Sequence, residues 1–472
     1  MASVTVVPSS AAPPSPAEAG PHAPEVSAPA RRPAPRGRLL RWWGLAGWVR
    51  RRAATPPGRL RLVSTGLVAA IVLLWLAAFI TTVARQRAVA DVRDTSGPAF
   101  VAAQRVHADL SEADASAAAA FLAGGVEPVA QRQAYQRSIA QASTQVLQLA
   151  RARVPASVQG ELTTLAGQIP VYTGLVDQAR ADNRLGYAVG GAYLRQASTL
   201  MQTTILPAAD RLAAAEAVRV DDSYGRATRW WQPTLVAITG LAALGGLVVA
   251  QVALARRTHR YLNVPLVAAT VVTAVSLGLT LAALSVERSR LVEGRDGGFV
   301  PMTVVAQARV LALRAWGDSS LSLIAHGDGA AQDDDAVRAT ARLGYDASGR
   351  PTGTGVLPAA EQLGGPDATT RAHLAEYWQA YAAKAGQIRA GASALGGFQE
   401  AVRLALGDGT TAFRQFDTAA DTALTTSQHR FDARLTSAGD ALGGLAVLVS
   451  VALALAAVGV LAGYQTRIDE FR

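Results

Sequence analysis

Four apolar stretches interrupt an otherwise polar chain: Leu62 to Val83, Pro233 to Leu254, Val264 to Val286 and Leu442 to Gly463, none containing a charged residue. At a rise of ~1.5 Å per residue, each crosses a ~30 Å hydrocarbon core as a helix. The pattern predicts an all-α membrane protein with transmembrane helices over residues 61–84, 233–255, 264–286 and 441–464. Between the spans lie two large polar segments, 85–232 and 287–440, and one short basic loop, 256–263.

Each large segment carries the 3.6-residue period of helices, and neither alternates like a strand. Ile139, Val146, Leu149 and Val154 recur at helical spacing, as do Leu162, Leu165, Ile169, Tyr172 and Val176. Breakers at Gly124, Gly125 and Pro128, at Pro155, and from Asn183 to Gly186 divide the first segment into four helices. Helices entering and leaving through adjacent spans form an up-down-up-down bundle, so two tandem four-helix bundles are expected. The second segment has a longer interruption, Gly344 to Gly365, expected at the membrane-distal tip.

The two halves are in register at an offset of 203 to 204 residues. Arg85 and Arg87 meet Arg288 and Arg290, Pro98 meets Pro301, and Arg105-Val106 meets Arg309-Val310. Asp114-Ala115-Ser116 then meets Asp318-Ser319-Ser320, and Gly125 meets Gly329. A duplicated span, bundle and span is the economical reading.

Charge adds an orientation. Residues 1–61 hold ten Arg against two acids, and Arg256, Arg257 and Arg260 give the short loop three more without an acid. The large segments are nearly balanced, with 15 basic and 13 acidic residues in 85–232 and 15 and 18 in 287–440. The positive-inside rule places both termini and the short loop in the cytoplasm of a plasma membrane and both bundles outside. The net charge of +10 is concentrated beside the bilayer, so membrane lipid is the expected partner and nucleic acid is not. Residues 1–38, rich in Pro, Ala and Ser, are expected to be disordered. The run from Leu39 to Arg52, with Trp42, Trp43 and Trp48 among arginines, is expected to lie in the headgroup layer.

Candidate chemistry is sparse. The chain has no cysteine, and its six histidines lie far apart without metal-ligand spacing. Asp333-Asp334-Asp335 lacks the alternation of a calcium loop and reads as a solvated helix start or turn. His107 and Asp114, seven apart, and Arg105 and Asp109, four apart, read as solvated pairs on a helix surface, with a ligand role as the alternative. Asp318 beside Trp316 is a second candidate lining. No catalytic residue, metal or cofactor is expected. Within the spans the strongly polar residue is Gln251, which argues against an ion pathway. Small residues four apart (Gly66 and Ala70, Ala242 and Gly246, Gly278 and Ala282, Gly459 and Gly463) permit close helix packing, within the four spans or in a homodimer. An outer bundle continuous with membrane spans is a receptor layout, and no effector module follows span four within residues 465–472, so the expected output is a bound cytosolic partner.

The stretches Asn183-Arg184-Leu185-Gly186, Gly190 to Ser198 and Leu206-Pro207-Ala208-Ala209 carry a family likeness, joined in the second half by Tyr377-Trp378, Tyr381, Ala401 to Ala405 and Ala412 to Asp417. Over residues ~60–466 the chain resembles an actinobacterial four-span membrane protein encoded beside a glutamate-binding lipoprotein and the Ser/Thr protein kinase G. The bias to 44 Arg against the single Lys384 fits such a high-GC source. The resemblance implies a signalling component that receives a solute-binding lipoprotein outside and reports glutamate or aspartate availability to a cytosolic Ser/Thr kinase. Under that reading Arg105, Asp114, Asn183, Tyr193 and Arg195 are candidate contacts for ligand or partner, and Arg256, Arg257 and Arg260 for the cytoplasmic partner. An envelope assembly protein and a direct small-molecule receptor are the alternatives.

Overall fold

The computed structural model describes residues 56–124, 127–152, 156–258, 263–325, 328–362 and 365–469. The expected tail disorder and headgroup segment lie outside them. Among the described residues the chain is helical, and the four apolar stretches are helices long and apolar enough to cross a membrane.

The first half runs α1 (Pro56–Asp91), α2 (Gly97–Leu122), α3 (Val129–Arg151), α4 (Ala156–Arg184), α5 (Val189–Leu200), α6 (Leu206–Ala227) and α7 (Trp231–Thr258). The second runs α8 (Val264–Gly294), α9 (Val300–Ile324), α10 (Ala330–Leu343), α11 (Val356–Ala359), α12 (Ala368–Ser393), α13 (Phe398–Leu404), α14 (Thr410–Gly443) and α15 (Leu445–Asp469). The junctions α1/α2, α5/α6, α8/α9 and α13/α14 are not breaks. Each is a five-residue π turn: Val92–Ser96, Met201–Ile205, Arg295–Phe299 and Ala405–Gly409. Three of them precede a proline by one residue, Pro98, Pro207 and Pro301. A proline inside a helix lacks the N–H and crowds the carbonyl one turn back, and widening that turn relieves both. At the fourth, the Thr410 hydroxyl donates to the Ala405 carbonyl at 2.8 Å. One helix thus runs unbroken from Arg61 to Leu122 and another from Val264 to Ile324, each about 90 Å long.

The helices α2 to α6 surround a core of small and aliphatic side chains, in which Leu162, Leu165, Ile169, Tyr172 and Val176 are all buried. The bundle of α9 to α14 is more aromatic: Trp316 stacks on Phe413 at 4.5 Å, and Trp378 lies 5.2 Å from Tyr381 and 5.4 Å from Phe416. The two bundles pack as one body. Leu321 and Ile324 of α9 belong to the first core, and Ala115 and Ala119 of α2 belong to the second.

The interruption after α10 is not at the membrane-distal tip. Because α10 spans only 14 residues, the chain leaves it partway down the bundle. Tyr345 pairs with Pro351 and packs on Trp378, while Asp367, at the end of the connection, meets Arg430 near the membrane end of α14 at 3.5 Å. Glycine is required where the connection crosses itself: Gly344 has φ +117°, and a Cβ on Gly355 would lie 2.5 Å from the Gly344 Cα. Asp333 starts no calcium loop but sits in the first turn of α10.

In the spans, Gly459 and Gly463 of α15 approach α8, where a Cβ on Gly459 would lie 3.2 Å from the Pro265 carbonyl oxygen. Gly246 faces Leu67, whereas Gly66 and Gly278 face open space. The Gln251 amide donates to the Leu266 carbonyl at 3.0 Å and the Thr270 hydroxyl at 2.6 Å, so it ties α7 to the start of α8.

Candidate functional site at the seam between the bundles

The first helices of the two bundles, α2 and α9, lie side by side. Gly317 permits the approach: a Cβ there would stand 3.2 Å from the Ala115 Cα. Runs of alanine on α2 make the seam narrow, so polar groups on it are dehydrated.

Two carboxylates 204 residues apart sit on this seam, Asp114 and Asp318, and both are buried. Asp114 accepts from Ser198 at 2.8 Å and from Tyr172 at 3.2 Å, yet burial raises its pKa to about 6. Asp318 accepts from the Gln202 amide at 2.7 Å and has the Arg314 guanidinium at 3.6 Å. Burial, with a lesser contribution from Asp114, raises it to about 7. In both, the folded pKa exceeds the unfolded one, so the folded protein binds more protons between about pH 4 and 7, and stability falls as pH rises through that window. Thermal melts at pH 5 and pH 8 should show the protein more stable at pH 5 by a few kcal/mol. Asp114→Asn should flatten that slope, and an unchanged slope would show that Asp114 does not titrate there.

One flank of the seam is closed by charge. Arg309 of α9 reaches Asp417 at 2.7 Å, Glu112 at 3.4 Å and Asp421 at 3.7 Å, and Arg414 reaches Glu112 at 3.0 Å and Asp417 at 3.6 Å. Beside them the Gln145 amide donates to Asp109 at 3.2 Å, and burial raises the Asp109 pKa to about 7. This flank joins α2, α3, α9 and α14.

The opposite flank is open. A cleft of about 810 Å³ lies between α2 and α6 on one side and α9 and α10 on the other, lined by His107, Gln202, Asp210, Gln307, Arg314 and Arg342 among others. His107 Nε2 lies 3.3 Å from Asp210. Burial, aided by Arg314, lowers the His107 pKa below its usual 6.5 against the pull of Asp210, so the ring is neutral at pH 7.

At the membrane end, Arg85 of α1 and Glu287 of α8 form a fully buried ion pair at 2.9 Å. Arg85 also donates to Gln232 of α7 at 3.0 Å and to the Leu284 carbonyl at 3.4 Å. Three spans meet at this one guanidinium. Just beyond, Phe431 of α14 lies against Gly97 and Gly298, where a Cβ would stand 3.2 and 2.9 Å from its atoms.

The residues singled out in the sequence are not gathered in one place. Asp114 lies on the seam. Arg105 is exposed and donates to Gln428 at 2.7 Å, which links the halves nearer the membrane. Asn183 donates to the Phe121 carbonyl at 3.3 Å and Tyr193 is half-buried against the first core, both toward the outer end of the bundle. Arg195 is exposed on α5, and Arg256 is exposed near the end of α7. The Arg257 side chain and Arg260 lie outside the described residues. The solvated pairs expected on α2 do not form. His107 and Asp114 are buried and take different partners, and Arg105 donates to Gln428 rather than to Asp109. Asp114 is held by Tyr172 and Ser198 of its own bundle, and His107 lies between Asp210 of its own bundle and Arg314 of the second, tertiary contacts that no local pattern encodes. Sequence reasoning also missed Arg85, Glu287, Glu112, Arg314 and Asp417; for Arg85 and Glu287 the available signal was a charge set immediately beyond an apolar span.

This arrangement, a membrane-anchored helical bundle with buried charges on its first helix, is accompanied by a sequence match. Residues 88–225 match the family model for the actinobacterial sensor domain. The matched segment begins in the last turn of α1 and ends within α6, and covers under a third of the chain. No curated protein and no solved structure matches. Among the described residues no cluster of His, Asp and Glu has the geometry to hold a metal ion.

Proposed function

We propose that this chain is the membrane component of a signalling relay, in which the paired bundles sense an extracytoplasmic event and the spans carry it to a cytosolic partner. The observation that carries the reading is the continuity of α1 with α2 and of α8 with α9, which makes the two helices of the seam direct extensions of two spans. A shift at the seam is transmitted along rigid helices. The sensor-domain match to residues 88–225 supports a sensing role.

The halves are two copies of one span, bundle and span. In support, π turns begin at Val92 and Arg295, 203 residues apart, and at Met201 and Ala405, 204 apart. The termini and the Arg256 loop face the cytoplasm, by the positive-inside rule. On the outer side the partner is a solute-binding lipoprotein carrying glutamate or aspartate, and on the inner side a Ser/Thr kinase, by the family resemblance. The role is not catalytic.

Photo-crosslinkers placed at exposed positions such as Arg195 and Arg256, in cells with and without external glutamate or aspartate, test this. Recovery of a solute-binding lipoprotein outside and a kinase inside, in yields that change with the amino acid, is the expected result. Recovery only of wall-synthesis or division proteins, indifferent to amino acids, would replace the relay with an envelope scaffold.

A further inference from the structure

We infer that the open cleft on the seam is a binding site for a small carboxylate anion. Under the 204-residue offset each flank is built from equivalent elements: α2, α9, α14 and α3 on the closed one, α9, α2, α6 and α10 on the open one. On the closed flank two arginines, Arg309 and Arg414, are bridged by Glu112 from the other bundle. That carboxylate fastens the bundles to each other. On the open flank two arginines are again present, Arg314 and Arg342, both from the second bundle. There the bridging carboxylate is missing. Arg314 has acids only at 3.6 Å, Asp318, and 3.9 Å, Asp335, and Asp335 is held more closely by Arg338 at 2.6 Å. The Arg342 side chain makes no ion pair or hydrogen bond among the described residues.

The remaining lining fits the same ligand. His107 and the Gln307 amide add uncharged polar groups, Gln202 is tied to Asp318 at 2.7 Å, and Asp210, 3.3 Å from His107, is the acid that lines the far wall. A carboxylate offers two oxygens to a guanidinium fork, the strongest neutralisation available to an arginine in a partly dry site. About 810 Å³ lies within the range of small-molecule pockets. A bound carboxylate would do for the open flank what Glu112 does for the closed one. It would draw α9 and α10 toward α2 and α6, and thereby bias the two helices that continue into the membrane. Binding here is direct, and is independent of whether a lipoprotein also docks.

The test uses the full chain in lipid nanodiscs with three probes: succinate, L-glutamate and inorganic phosphate. Calorimetry and thermal melts should show saturable binding of at least one dicarboxylate and a raised melting temperature. Arg342→Gln, at an exposed position, should weaken binding at least tenfold with the ligand-free melt unchanged. Gln307→Trp should abolish it by filling the mouth. Absence of saturable binding of either dicarboxylate to about 10 mM, well above the ~1 mM of a weak site, would overturn the inference. So would equal binding of phosphate, or full affinity in Arg342→Gln. Crosslinking to a lipoprotein without dicarboxylate binding would leave the relay standing and remove this site alone.

Discussion

Arg85→Ala is expected to destabilise the protein by about 3–5 kcal/mol, among the largest losses for a single substitution outside the aromatic core. Arg85 and Glu287 are 1% and 0% exposed, so removal of the guanidinium leaves a carboxylate with neither water nor counter-charge. Glu287 Oε1 already has no hydrogen-bond partner among the described residues, and Gln232 would lose its donor as well. Unfolding in mild detergent, followed by helical signal against temperature or denaturant, measures the loss. Replacing both partners, Arg85→Leu with Glu287→Leu, should recover most of it, because two apolar side chains need no mutual compensation. If the double variant is no better than the single, the pair does not act as a unit.

Arg309→Ala should cost about 3 kcal/mol, at the lower end of that range because Arg414 stays within 3.0 Å of Glu112 and 3.6 Å of Asp417. Its effect on signalling should exceed its effect on folding. Arg309 is the contact through which α9 holds Glu112 of the first bundle and Asp417 of its own, so its loss frees the closed flank. Arg309→Lys retains charge but cannot span both carboxylates with a planar fork, and should give an intermediate loss. A response to the external stimulus that survives Arg309→Ala undiminished would show that the closed flank does not transmit.

The spans and first-bundle helices could be read from the sequence because each rests on a local pattern. A charge-free stretch specifies a span, and Leu162, Leu165, Ile169, Tyr172 and Val176 specify a buried stripe. Pro98, Pro207 and Pro301 each lie two residues past a π turn, but Pro170 sits inside α4 without one, so proline alone does not locate these turns. The seam was another matter. Arg105, Asp109 and Glu112 share one helix face and His107 and Asp114 another, each with the spacing of solvated pairs, and only packing against distant helices decides which are dry. Arg309 and Asp417 are 108 residues apart, and Arg85 and Glu287 are 202 apart, so nothing local announces either pair. The long connection after α10 was misplaced for a similar reason, since its position depends on where a 14-residue helix stops against longer neighbours.

The π turns at Val92–Ser96 and Arg295–Phe299 have a consequence for how membrane and bundle are phased. Each accommodates one residue more than an α-helical turn, and one residue is worth about 100° of rotation. The azimuth of α2 is therefore set separately from that of α1, and likewise α9 from α8. The lipid-facing side of a span and the seam-facing side of its extension are not on one straight stripe. Were either wide turn to tighten, the span would swivel by roughly a quarter turn beneath a bundle whose axis had not moved.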